Sequence, residues 1–323
     1  MARRELTSYK FGSFNMMNMG KTAQTKRDFD KITEIILGEK FDVVAFQEVL
    51  SNASSLKHYI SNFLPKWEVK YIKPKESSDF TKTKDKREEG YAFAWNPDRL
   101  TLASSSTDDG LRIYEPREVR DALRYDSSIF ARNPMYIRLV PTNGGFFEFR
   151  LINVHIYFGD NTKSEIEKRK EEYNFLIQRI YPTLSMERRY GNNRPAYTVV
   201  MGDYNLNLYK PRFEAESRIV KETYISREHL VGSQTIVTVQ DELTTLKNSQ
   251  TDAPSVDDNP NRGYSQNYDH FSFDIKTFED NGITYQAKRV DAVRDYCGDD
   301  FEFYRANISD HIPVSLELKF MGR

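Results

Sequence analysis

Six short segments, spread over the whole sequence, place an acid, an amide or an imidazole at the end of an apolar run. They are Phe14-Asn15, Gln47-Glu48, Asn153-Val154-His155, Gly202-Asp203-Tyr204-Asn205, Tyr268-Asp269-His270 and Ser309-Asp310-His311. Apolar runs of this kind are typical of buried strands. Burying a polar group without a partner costs roughly 2–7 kcal/mol. Polar residues that recur at strand ends therefore indicate a functional site.

The chemistry available to such a site follows from its side chains, which are carboxylates, amides and imidazoles with no thiol among them. Carboxylate and amide oxygens suit a hard divalent cation such as Mg²⁺, Mn²⁺ or Ca²⁺, and histidines suit acid–base catalysis. The single cysteine, Cys297, excludes an intramolecular disulfide and has no partner pattern around it. The sequence predicts a metal site with acid–base histidines.

The elements that must position these residues alternate between strand and helix. Apolar runs predict strands over residues 9–15, 42–47, 67–72, 91–95, 196–201, 271–275 and 313–318, and a hairpin of 135–140 with 146–155. Helical spacing predicts helices over 24–38, 51–63 and 162–180. Strands separated by helices and hairpins indicate a mixed α/β protein, with two packed sheets and helices outside. We expect a single domain over 1–323, with an irregular insertion around 206–267.

Composition and charge narrow the class of protein. With 323 residues, 38% of them hydrophobic, the chain can bury a sizeable core. The net charge of −1 gives no global attraction to nucleic acid or anionic membranes, although a basic patch or a metal ion can still hold a polyanion. The sequence has neither a signal-peptide core nor an apolar run of the ~18 residues that a membrane helix needs. We expect a cytoplasmic monomer, with secretion left open if the N-terminus was trimmed.

Taken in order, the six segments resemble the endonuclease/exonuclease/phosphatase superfamily, whose fold is DNase I-like. Each motif is weak alone, but the ordered set is specific and covers the chain from Phe14 to Val314. The resemblance implies a four-layered α/β/β/α sandwich with an active site at one edge of its two sheets. It also implies metal-dependent hydrolysis of phosphoester bonds, with Mg²⁺ or Mn²⁺, or else Ca²⁺, as the cofactor.

The resemblance assigns roles to the segments residue by residue. Glu48 is implied to bind the metal, with Asn15 beside it and Asp310 as a further ligand. Asp203 and Asn205 match a catalytic pair that orients the attacking water and holds a phosphate oxygen or a second metal. On an extended segment, these two side chains would point the same way; an Asx-turn is the alternative interpretation.

The two catalytic histidines are also identified by the resemblance. His311 matches the general base, with Asp269 as the partner that fixes its tautomer. His155 matches the second histidine, which acts as general acid or phosphate ligand. Its expected partner is Glu89, with Glu88 as a competitor, and the phosphate-contacting arginine is Arg132, with Arg117 as its rival.

Two functional classes remain open, and a third is a non-catalytic binding module that kept the fold. A nuclease is favoured by His155 with its expected partners and by Tyr268-Asp269, which resemble the DNase I branch. The charged loop 73–87 and the aromatics Tyr91 and Tyr157 could hold a phosphate backbone. Leu50-Ser51 stands where vertebrate relatives carry a minor-groove arginine. The alternative is a phosphatase acting on an inositol phosphate, a nucleotide or a phospholipid head group.

Overall fold

The computed structural model describes residues 7–19, 27–50, 54–72, 89–103, 111–113, 129–186, 194–208, 223–247 and 261–321. Its strands are β1 Thr7–Met19, β2 Val43–Leu50, β3 Glu68–Ile72, β4 Glu89–Trp95, β5 Leu100–Leu102, β6 Leu111–Ile113, β7 Met135–Pro141, β8 Glu148–His155, β9 Ala196–Asp203, β10 Asn207–Leu208, β11 Tyr224–Ile225, β12 Glu228–Val231, β13 Gln234–Val239, β14 Asp269–Asp274, β15 Ile283–Arg289 and β16 Val314–Phe320. Its helices are α1 Phe29–Gly38, α2 Ser54–Phe63, α3 Lys163–Phe175, α4 Tyr181–Ser185, α5 Ile275–Asp280, α6 Ala292–Cys297 and α7 Phe301–Asn307.

Two mixed sheets form the centre of the fold. One has six strands in the order β15-β16-β1-β2-β4-β3, and the other has eight, β12-β13-β14-β9-β8-β7-β5 with β6 also paired to β7. Strand β2 shows how they pack, since its residues alternate between faces. Val43 and Ala45 join the core between the sheets, and Val44 and Phe46 face the helices.

Helices cover the outer face of each sheet. The six-stranded sheet packs against α1, α2, α6 and α7 through residues such as Ile32 and Tyr59. The eight-stranded sheet packs against α3 and α4 through Tyr173 and Leu184. The resulting order of layers is helix, sheet, sheet, helix, which confirms the predicted α/β/β/α sandwich.

Strand direction explains why the six polar segments meet. Strands β1 and β2 are parallel, and so are β8 and β9. The polar residues at their C-terminal ends therefore lie at one edge. Strands β4, β7, β14 and β16 run antiparallel to these four, so the residues at or before their N-termini reach the same edge.

Two expectations differ from the structure. The described part of the 206–267 insertion is not irregular, because it contains β10 to β13, and β13 extends the eight-stranded sheet by pairing with β14. Burial alternates from residue to residue along β13, but its sequence does not, since Ile236 and Val237 are adjacent apolar residues. The helix expected over 162–180 continues to Ser185 through a π-helical turn at Leu176–Ile180, just before Pro182, which cannot donate a backbone hydrogen bond.

Within the described residues, none of the helices combines the length and the apolar character needed to span a bilayer.

Candidate active site

The site is organised around Asp203, which ends β9 and is 1% exposed. Its Oδ2 lies 3.7 Å from Nε2 of His155 and 3.7 Å from Nε2 of His311. Asn15 Nδ2 donates to the same oxygen at 3.0 Å. Because Asp203 and His155 belong to the eight-stranded sheet while Asn15 lies in β1 and His311 precedes β16 of the other sheet, this one carboxylate joins both halves of the sandwich.

His311 is held by contacts from both sheets. Its Nδ1 is 2.8 Å from Oδ2 of Asp269 at the start of β14, and its backbone N–H donates to Ser309 Oγ at 3.1 Å. Ser309 Oγ in turn donates to the carbonyl of Asn15 at 2.7 Å. Burial alone would lower the pKa of His311, but the carboxylates of Asp269 and Asp203 raise this pKa well above its usual value. The ring is thus fixed with Nε2 toward Asp203.

His155 lies among mixed charges. Its Nδ1 is 3.3 Å from Oε2 of Glu89 and 3.1 Å from Nη2 of Arg132. Glu89 Oε2 and Arg132 Nη2 are themselves 3.0 Å apart. The backbone N–H of His155 donates to the hydroxyl of Tyr91 at 2.9 Å. The structure therefore brings Glu89 and Arg132 together at His155, while Glu88 and Arg117 lie outside the described residues.

Glu48 reaches the site because β2 is irregular at this point. The pairing of β2 with β4 shifts between Phe46 and Val49, and Glu48 adopts a left-handed backbone with φ 56°. A bulge of this kind re-aims a side chain. Its carboxylate accepts from Asn15 Nδ2 at 3.0 Å and from the backbone N–H of Asn18 at 2.9 Å.

Asn15 presents its amide nitrogen to the site. Nδ2 donates to both Glu48 and Asp203, whereas Oδ1 accepts from the backbone N–H of Met17 at 3.0 Å. In this arrangement the side chain bridges two carboxylates. A ligand role for its oxygen requires the amide to rotate by half a turn.

Asp203 and Asn205 form a turn rather than an extended segment. Asp203 Oδ1 accepts from the Asn205 backbone N–H at 2.8 Å, and Asn205 has φ 50°. This is the Asx-turn that the sequence left as an alternative. Asn205 Nδ2 donates to Ile156 O at 2.8 Å. Gly202 is required before the turn, since a Cβ there would lie 2.0 Å from Val154 O.

A cluster of three buried residues could hold a metal ion. Asp203, Asp269 and His311 each offer one ligand atom, and these atoms all lie within 4.8 Å of one another. Among the described residues, Asp269 Oδ1 is buried without a hydrogen-bond partner. Burial, with the carboxylates of Glu89 and Asp310 adding to it, raises the pKa of Glu48, against the opposing effect of His155. This donor set of carboxylates and imidazole fits a divalent cation.

Sequence reasoning gave no role to two residues that hold the edge together, Gln47 and Asn153. Gln47 Nε2 donates to Asn153 Oδ1 at 2.7 Å, and Asn153 Nδ2 donates to the carbonyls of Phe46 and Ala92 at 3.0 and 3.1 Å. These bonds tie β8 to the opposite sheet. Gln47 and Asn153 both occur in the six polar segments. Their amide side chains were the sign in the sequence that the two sheets are hydrogen-bonded to each other at this edge.

Three features were expected from the sequence to contact a phosphate backbone, namely Tyr91, Tyr157 and the charged loop 73–87. Tyr91 is 1% exposed and accepts a hydrogen bond from His155, so its expected role as a surface contact is wrong. Tyr157 is half-buried. The charged loop 73–87 lies outside the described residues.

Solved structures share this fold. An endonuclease/exonuclease/phosphatase family protein from Bacteroides thetaiotaomicron matches with a TM-score of 0.55 and 14% identity, over 99% of this chain and 100% of that chain. ANGEL2, a 2′,3′-cyclic phosphatase, matches with a TM-score of 0.56 and 12% identity, over 98% and 96% of the two chains. TDP2 from Caenorhabditis elegans matches with a TM-score of 0.54 and 13% identity, over 99% and 78%.

Comparison at the level of sequence adds nothing to this. No family model matches the chain, and no curated protein matches it. The fold is therefore recognised from the structure and from the ordered polar segments. This chain has the DNase I-like fold of the endonuclease/exonuclease/phosphatase proteins, as its motifs predicted.

Proposed function

We propose that this protein is a metal-dependent phosphoesterase, and most specifically a nuclease that hydrolyses DNA or RNA phosphodiester bonds. The observation that carries the proposal is the convergence of His155 and His311 on one oxygen of Asp203. Two imidazoles on either side of a carboxylate provide a proton acceptor and a proton donor for one reacting centre.

His311 is proposed as the general base. The Asp269 carboxylate holds the proton on Nδ1. Asp269 and Asp203 raise the pKa of His311 in the metal-free site, and a cation bound to these carboxylates would offset that effect, so that the neutral ring directs the lone pair of Nε2 toward Asp203 and the space beyond it. A water molecule in that position loses its proton to Nε2 as it attacks the phosphorus. Asp203, with Asn205 beside it, orients this water or the scissile phosphate.

His155 and Arg132 are proposed to act on the opposite side of the phosphate. The guanidinium next to the ring favours binding of an anionic oxygen, and His155 Nε2 can donate a proton to the leaving oxygen. The divalent ion proposed here is Mg²⁺ or Mn²⁺, with Asp203, Asp269, Glu48 and Asp310 as its candidate ligands. When bound, it polarises the phosphate and offsets negative charge in the transition state.

A phosphatase that acts on a smaller phosphoester is the second candidate. The similarity of the fold to ANGEL2, a 2′,3′-cyclic phosphatase, favours it. So does the near-neutral charge, which provides no general attraction to a polyanion.

A substrate panel tests the proposal. Purified protein is incubated with plasmid DNA, single-stranded RNA, nucleoside 2′,3′-cyclic phosphates and small monoesters, in Mg²⁺, in Mn²⁺ and in EDTA. We expect metal-dependent cleavage of a nucleic acid that the Asp203→Ala variant lacks. Phosphate release from small esters with nucleic acid left intact would replace the nuclease by the phosphatase. Inactivity on every substrate, with no Mg²⁺ binding by calorimetry, would refute both.

A further inference from the structure

Two charged residues lie on the buried face of α3, where the helix packs on the eight-stranded sheet. Arg169 is 0% exposed and Glu172 is 1% exposed, and they are three residues apart on the same side of the helix. Their neighbours on this face include Ile166 and Tyr173. Buried charges are costly and apolar residues of similar volume often stabilise as well or better, so a helix that only has to pack gains nothing from them.

Glu172 ties together two segments that lead to the site. Its Oε1 accepts from the backbone N–H of Ala131 at 3.0 Å, and its Oε2 accepts from the backbone N–H of Tyr157 at 3.2 Å. Ala131 directly precedes Arg132, and Tyr157 comes two residues after His155. A single carboxylate thus fixes the backbone next to both residues of the His155 centre.

Arg169 provides the complementary contacts, because it donates where Glu172 accepts. Its Nε donates to the carbonyl of Phe158 at 2.6 Å, and Nη2 donates to the carbonyl of Asp160. Its Nη1 donates to the carbonyl of Asn205 at 3.3 Å. The guanidinium also lies 4.3 Å from the ring centroid of Phe158. One side chain therefore connects the segment after β8 with the turn after β9.

We propose that Arg169 and Glu172 are positioning residues that act through the backbone on His155, Arg132 and Asn205. The inference rests on the proposed function, because it assigns those three residues to the reaction. Burial raises the pKa of Glu172 to about 7, against the opposing effect of its two backbone donors and of Arg132 and His155. The hydrogen bonds that the Glu172 carboxylate accepts from the backbone N–H groups of Ala131 and Tyr157 offset part of the cost of burying its charge.

The test compares variants of adjacent residues. Glu172→Leu removes both acceptors, and Glu172→Gln keeps the shape with one acceptor oxygen. Glu171→Gln is the matched control, because Glu171 is exposed on the next position of α3. Removing partners that orient catalytic side chains costs about 10–100-fold. We expect kcat to fall by about this factor in Glu172→Leu with KM nearly unchanged, a smaller loss in Glu172→Gln, and none in Glu171→Gln.

A second readout separates positioning from general destabilisation. Glu172→Leu is made both in wild type and in the His155→Ala variant, and the factor by which it lowers kcat is measured in each background. If Glu172 acts through the His155 centre, its substitution loses most of its effect once His155 is gone. An undiminished factor in the double variant would overturn the proposal. So would kcat within twofold of wild type in Glu172→Leu.

Amide signals make the inference independent of activity. In ¹H–¹⁵N spectra, Glu172→Gln should displace the Ala131 and Tyr157 amides together with the His155 ring signals, and Glu171→Gln should not. If wild type hydrolyses no phosphoester, the proposed function fails, while displaced His155 signals still support positioning. Unmoved His155 signals overturn it in either case.

Discussion

The two histidines at this edge of the sheets both lie next to carboxylates, but His155 also lies next to an arginine. His311 has a carboxylate 2.8 Å from Nδ1 and a second one 3.7 Å from Nε2. His155 also has a carboxylate on each side, but its Nδ1 neighbour Glu89 is shared with Arg132 at 3.0 Å. One imidazole thus lies in an anionic environment, and the other has a guanidinium beside it. The comparison teaches that one residue type can be placed in two different electrostatic environments at the same edge of the fold.

The largest expected effect comes from the residue that both centres share. Asp203→Asn keeps an acceptor for the Asn205 N–H, so the turn survives, but removes the charge between the two histidines. We expect kcat to fall on the order of 10³ or more, above the 10²–10³ typical of one electrostatic group. Steady-state rates on the best substrate of the panel measure it. A loss below tenfold would show that the centres do not depend on Asp203.

The histidines themselves come next. His311→Ala and His155→Ala should each lower kcat by about 10²–10³, because each removes one acid–base group. Circular dichroism should report an unchanged fold. Near-normal turnover in either variant would remove that histidine from its assigned role.

The partners of the histidines should differ from each other. Asp269→Asn removes the negative charge closest to His311 and is expected to cost about 10²-fold, whereas Glu89→Gln leaves Arg132 beside His155 and is expected to cost about tenfold. Both exchanges are isosteric, which makes them matched controls for one another. The reverse order of rates would mean that the two centres have been assigned the wrong way round.

The smallest effect concerns stability in metal-free protein. The raised pKa of His311 means that its charged form is favoured by folding. This contribution is fully present below the unfolded value of about 6.5 and is lost as the pH rises through the folded value. Urea unfolding of wild type and His311→Gln in EDTA should therefore give a difference that shrinks as the pH rises above about 6.5. A difference that is independent of pH would contradict the ion pair.

Prediction from sequence succeeded where the signal was local. The apolar runs that end at His155 and Asp203 marked real strand ends, while β1 continues past Asn15 to Met19. The order of the polar segments identified the fold. The bulge at Glu48 was not predictable, because it depends on how β2 pairs with its neighbours.

Other features depend on contacts that spacing does not encode. Arg169 and Glu172 interrupt the apolar stripe that begins at Ile166, and a charged pair within such a stripe was the available sign. The hydrogen-bond partners of Arg169 and Glu172, however, are backbone groups in other segments of the chain. The orientation of the Asn15 amide likewise follows from Met17 and two carboxylates, which only the folded chain brings together.

The position of β1 has a consequence for biosynthesis. β1 is flanked by β2 and by β16, with Ser13 opposite Val314. At about 5–20 residues per second, a ribosome needs on the order of 15–60 s to travel between these two residues. Throughout that interval β1 lacks its β16 partner, and an unpaired strand edge can pair with another chain. We expect the pairing of β1 on this side, and with it the placement of Asn15 beside His311, to be completed only after β16 has been translated.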